Sequence, residues 1–85
     1  MEKFYWYDEC VNCHQGRLIL IEDTTNGRMY LHCEECERGW LTPEEVSDNS
    51  RGFLTLEEDF ETENPNWKTI KQYGWESVAK HSFSE

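Results

Sequence analysis

Basic side chains are scarce: eight lysines and arginines stand against 18 aspartates and glutamates, a formal net charge of -10. A chain of that sign repels phosphate, whereas nucleic-acid domains usually show a basic patch or stripe, so no direct nucleic-acid binding is expected. Long apolar runs are missing too, since the longest aliphatic stretch is Leu18 to Ile21. No segment spans a membrane, and the start Met-Glu-Lys-Phe-Tyr-Trp-Tyr-Asp-Glu has no apolar secretory core, so a soluble cytoplasmic protein is expected. The chain also lacks length. Eighty-five residues bury only about 60–65% of the surface an unfolded chain exposes, and domains of this size usually need a metal, disulfides or a partner as a staple.

What is present supplies one. Four cysteines form two pairs, and Cys10-x-x-Cys13-x-x-Gly16-x-Leu18 recurs 23 residues later as Cys33-x-x-Cys36-x-x-Gly39-x-Leu41. In a reducing cytosol such pairs bind metal or do redox chemistry more often than they form structural disulfides. Each unit reads as a knuckle in which two thiolates meet one metal and the glycine supplies the positive φ that reverses the chain. Two knuckles complete one tetrahedral site, so Cys10, Cys13, Cys33 and Cys36 are the expected ligands of one structural Zn2+. Tetrathiolate iron, a redox dithiol and disulfides remain open on the same spacing. Four thiolates and one dication would deepen the negative charge by two.

Between the pairs, Arg17-Leu-Ile-Leu-Ile21 and Arg28-Met-Tyr-Leu-His32 flank a turn ending in Asn26-Gly27, a strong hairpin signal. The aromatic run Phe4 to Tyr7 and the pair Trp40-Leu41 are positioned to add strands. Thr42-Pro43-Glu44-Glu45 reads as a capped helix start and Asn64-Pro65 as a second. Trp67, Ile70 and Tyr73 would form one apolar face of that second helix. Gly74 should interrupt it, with His81 near a helix end and the last residues fraying. Gly52 to Leu56 reads as strand or loop. The expected fold is a small α+β domain, an antiparallel ribbon packed against a C-terminal helical segment. Residues 1–85 form one domain, with the ribbon over 1–41 and an acidic loop and helical extension over 42–85.

Charge is uneven along this map. Residues 1–40 carry -4, residues 41–63 carry -7 and residues 64–85 carry +1. The densest acid lies at Glu57, Glu58, Asp59, Glu61 and Glu63 around Phe60. This stretch is the candidate partner-binding surface, with Phe60 or a nearby helical tryptophan as its anchor. No nucleophile-base motif, phosphate-cradling glycine loop or cofactor fingerprint accompanies it, so no enzymatic role is expected. Cys10-Val-Asn-Cys13-His14 also has haem c attachment spacing, but that reading leaves the second cysteine pair unexplained.

On both knuckles and the hairpin, residues 10–41 resemble the zinc-ribbon or rubredoxin-like family of tetracysteine metal sites. That resemblance implies a metal-centred scaffold and leaves function open, because such ribbons serve transcription, translation, enzymes and interaction modules alike. In size and charge the chain is similar to small acidic bacterial immunity proteins that neutralise toxins. This implies a non-catalytic inhibitor of a basic toxin or nuclease. The alternatives are a zinc-ribbon adaptor of transcription or translation machinery and a rubredoxin-like electron carrier.

Overall fold

The computed structural model describes residues 2–46, 51–54 and 59–85. Strands β1 (Lys3–Glu9), β2 (Arg17–Asp23), β3 (Arg28–Cys33) and β4 (Arg38–Trp40) run up and down as an antiparallel meander. Later come β5 (Phe53–Leu54), β6 (Thr62–Glu63), helix α1 (Trp67–Gln72) and β7 (His81–Ser84). The sheet order is β5-β4-β3-β2-β1-β7, with β6 added to the end of β2 at Glu22 and Asp23. Three strands from residues 42–85 thus join the sheet built by the first 41.

The central strands β2 and β3 are buried on both faces over Leu18–Leu20 and Met29–Leu31, with Ile19 and Tyr30 on the face opposite the main core. Leu18, Leu20, Met29, Leu31, Cys33 and Trp40 point to one face and are buried, and α1 adds Ile70 to them. Half-buried Tyr5, Tyr7, Tyr73 and Trp75 close this core at its margin. The β2–β3 hairpin pairs Asp23 with Arg28 across a four-residue turn. Asp23, fully buried, accepts from the Asn26 backbone N–H (3.1 Å), Asn26 Nδ2 (2.7 Å) and Arg28 Nε (2.8 Å). Burial alone would raise this carboxyl; the bonds from Asn26 and then Arg28 outweigh it and hold the group below the usual carboxylate range.

The C-terminal third differs from its sequence reading. It holds one α-helix of six residues, and the domain is mostly β among the described residues. Thr42 leads into a 3-10 turn over Pro43–Glu45, and its side chain makes no capping bond. The helix cap is Asn66, whose Oδ1 accepts from the Thr69 N–H at 2.8 Å. Asn64 instead reaches back to β1, donating from Nδ2 to the Lys3 carbonyl at 2.7 Å. Gly74, at φ +73°, stops the helix: its N–H bonds to the Lys71 carbonyl and the Trp75 N–H to that of Ile70. Trp67 is 43% exposed, so of the expected apolar face only Ile70 is fully buried.

The terminus does not fray and His81 ends no helix. β7 pairs with β1 from Lys3↔Ser84 to Trp6↔His81, and the Glu2 and Glu85 backbones exchange hydrogen bonds beyond it. Phe83 stacks on Phe4 at 5.2 Å, and the Arg17 guanidinium lies 3.8 Å above its ring. Among the described residues no helix is long and apolar enough to cross a membrane.

Candidate metal centre

Both knuckles open at the same end of the sheet because Leu18, just after the first, pairs with Cys33, which begins the second. The β1–β2 turn carries Cys10 and Cys13, and Cys33 and Cys36 lead from β3 into β4. All four Sγ atoms lie within 4.8 Å of one another. Cys10 Sγ is 3.8 Å from Cys36 Sγ, and Cys13 Sγ is 3.5 Å from Cys33 Sγ. Four sulfurs around a metal at about 2.3 Å stand about 3.8 Å apart, whereas a disulfide needs about 2.05 Å. The cysteines are free thiols at metal-binding separation, and the cluster is compatible with one metal ion.

The backbone is folded to receive negative sulfur. Amides of Gln15 and then Gly16 pull the Cys13 thiol down to about 7. Burial pushes the Cys10 and Cys33 thiols up, against the amides of Cys13 and Asn12 at the first and of Cys36 and Glu35 at the second. Two fully buried thiols of this kind ionise when a cation shares the site, which fits the donor set to a metal. Asn12 Nδ2 adds a contact to Cys36 Sγ at 3.6 Å.

The knuckle glycines do not supply positive φ. That conformation falls on the residue after the second cysteine of each pair, His14 at +56° and Glu37 at +61°. Their N–H groups return to the Cys10 and Cys33 carbonyls at 2.9 and 3.2 Å, an αL turn in which each first cysteine starts the loop its partner ends. Gly16 serves by close approach instead: a Cβ there would meet Cys33 Sγ at 2.6 Å and the Glu35 nitrogen at 3.0 Å.

Sequence reasoning missed the clamp between the two knuckles. Arg17 donates from Nε to Glu34 Oε2 (2.6 Å) and from a terminal nitrogen to Oε1 (3.0 Å), and its backbone N–H joins Oε2 at 3.0 Å. The signal was present as a base directly after Gly16 and an acid directly after Cys33. His14 is 71% exposed at its side chain, and His32 bonds Glu37 Oε2 through Nε2 at 3.1 Å, so neither imidazole belongs to the sulfur cluster.

Of the expected partner surface, Glu57 and Glu58 lie outside the described residues. Asp59, Glu61 and Glu63 are exposed. Glu61 is held by its backbone, its carbonyl accepting from the Thr24 N–H at 3.0 Å and its N–H donating to Thr25 Oγ1 at 2.8 Å. Glu63 stands directly across from Glu22. Phe60 is half-buried, edge-on to Tyr30 at 5.7 Å with the Arg28 guanidinium 5.6 Å from its ring, so much of the ring is already engaged within the chain.

Comparison of the chain with protein-family models, with curated proteins and with solved structures finds no match.

Proposed function

We propose that this chain is a non-catalytic, zinc-stapled protein-binding module, an immunity- or antitoxin-like inhibitor whose acidic side meets a basic toxin or nuclease domain in the cytoplasm. Residues 10–41 serve as a zinc ribbon of the tetracysteine kind, and Zn2+ is the structural ion in a site whose four positions are all taken by sulfur. Such a closed site leaves no coordination position for water or substrate and so serves architecture.

The observation that carries the binding reading is the pairing of Glu63 with Glu22. Like charges directly opposite on antiparallel strands destabilise the pair. The base nearest the hairpin turn, Arg28, is already bonded to Asp23, and Asp59 and Glu61 extend the same exposed negative stretch. A basic partner relieves that repulsion on docking and is drawn in by the field of a chain at -10. Nucleic acid is not its ligand, because phosphate would meet the same repulsion.

The test is affinity capture from the native host followed by kinetics on the identified complex. Reversing Glu61 and Glu63 to lysine should slow association about tenfold or more and flatten its salt dependence, with metal content unchanged. Equal association rates for wild type and double variant would overturn the reading.

A further inference from the structure

All four lysines of the chain, Lys3, Lys68, Lys71 and Lys80, line the two clefts that share Trp67 as a wall. One cleft, about 630 Å³, runs between Trp67, Tyr5 and the Lys3 and Lys80 side chains. The other, about 390 Å³, is formed by Trp67 with Lys68 and Lys71 along α1. Trp67 is the only exposed tryptophan among the described residues, and its ring rests 5.5 Å from that of Tyr5.

Three of the four arginines, Arg17, Arg28 and Arg51, are ion-paired, to Glu34, Asp23 and Glu45, and Arg38 is not paired with a described residue. The four lysines are exposed and form no ion pair with a described residue. Lys3 and Lys80 lie instead against aromatic faces, 5.4 Å from the Tyr5 ring and 5.0 Å from that of Tyr7, which holds both ammonium groups close to the sheet. The acidic protein thus carries one exposed aromatic, Trp67, flanked by four lysines that form no ion pair with a described residue.

We propose that Trp67 and these lysines form a second recognition site, which takes a short acidic polypeptide segment bearing one aromatic or apolar side chain. The segment's side chain packs on Trp67 and its carboxylates meet Lys3 and Lys80 on one side and Lys68 and Lys71 on the other. A short carboxylate segment fits better than a phosphate strand, because a long polyanion would extend from this small patch into the field of a chain at -10. The site involves no metal ligand and is independent of the inhibitor reading.

The test is a titration of the isotope-labelled, metal-loaded chain with a blocked Glu-Glu-Phe-Glu-Glu peptide at low salt, followed by NMR. Saturable shifts should centre on the Trp67 indole N–H, Lys68, Lys71, Lys3 and Lys80, and the Gln-Gln-Phe-Gln-Gln peptide should produce none. The double variant Lys68→Glu, Lys71→Glu should weaken binding about tenfold or more with circular dichroism and metal content unchanged. The milder Lys68→Gln, Lys71→Gln pair serves if the reversal disturbs folding, and it should weaken binding in the same direction. Absence of saturable shifts at millimolar peptide, shifts insensitive to both lysine pairs, or tighter lysine-dependent binding of an oligothymidine strand would each overturn the proposal.

Discussion

A side chain at position 16 would place its first carbon 2.6 Å from the sulfur of Cys33. Gly16 is therefore required by the approach of one knuckle to the Cys33 sulfur of the other. Gly16→Ala must push Cys33 or the Glu35 backbone aside, a distortion of the overpacking kind that costs about 1–3 kcal/mol, and it does so at the sulfur cluster itself. We expect lower metal affinity and lower stability from this methyl group, measured by chelator competition and denaturant titration. Gly27→Ala is the control. Its φ of +65° opposes a side chain but nothing lies within 4 Å, so it should cost about 1 kcal/mol and leave metal affinity untouched.

His14 follows the Cys-x-x-Cys of the first knuckle at φ +56° with its side chain in solvent. His14→Gly should keep the metal stoichiometry and raise stability by up to about 1 kcal/mol, since the strain of an L-residue in the left-handed region is relieved. Elemental analysis and a denaturation midpoint check both halves. Loss of metal would make the imidazole a ligand.

Asp23 gives a pH signature. Its folded-state pKa is depressed, so its contribution is complete above the unfolded value near 4 and is lost as pH falls through the lower folded value. Asp23→Asn should cost about 2 kcal/mol at pH 7 through the bonds to Asn26 and Arg28. The difference between wild type and variant should stay level from pH 7 to about 5 and shrink below about 4. Using the difference cancels effects of acid on the cysteine cluster that both proteins share. Parallel denaturant titrations across that range measure it.

Phe83 tests the edge strand. Phe83→Ala removes the stack on Phe4 and the guanidinium contact of Arg17, and should cost about 2 kcal/mol. Amide exchange in β1 should quicken with it. Unchanged protection of β1 would mean that β7 contributes little to the sheet.

The hairpin and the cysteine cluster were legible because their determinants are local. Leu18 to Ile21 and Met29 to Leu31 are short apolar runs flanking an Asn-Gly turn, and ligand spacing within each Cys-x-x-Cys is a property of one turn. The two clusters then meet through Leu18↔Cys33. β7 was not legible, since His81-Ser-Phe-Ser84 has a single apolar residue and becomes a strand only by pairing with residues about 80 positions earlier. α1 starts two residues later than its sequence suggests because both Asn64 and Asn66 suit a cap, and the tertiary bond from Asn64 to the Lys3 carbonyl decides between them. Propensity points to glycine for the left-handed turns, whereas the knuckle takes that conformation immediately after its second cysteine, where the chain carries His14 and Glu37.

The proposal that one zinc ion held by Cys10, Cys13, Cys33 and Cys36 organises this sheet is tested most directly by native mass spectrometry with elemental analysis of the purified chain, alongside the Cys33→Ser variant. Structural zinc supplies about 10–16 kcal/mol of apparent binding free energy, as much as a whole small domain's stability. The account predicts one zinc per wild-type chain, a colourless protein, and loss of both metal and cooperative unfolding in Cys33→Ser. A red, iron-containing protein, or a Cys33→Ser chain that folds cooperatively without metal, would contradict it.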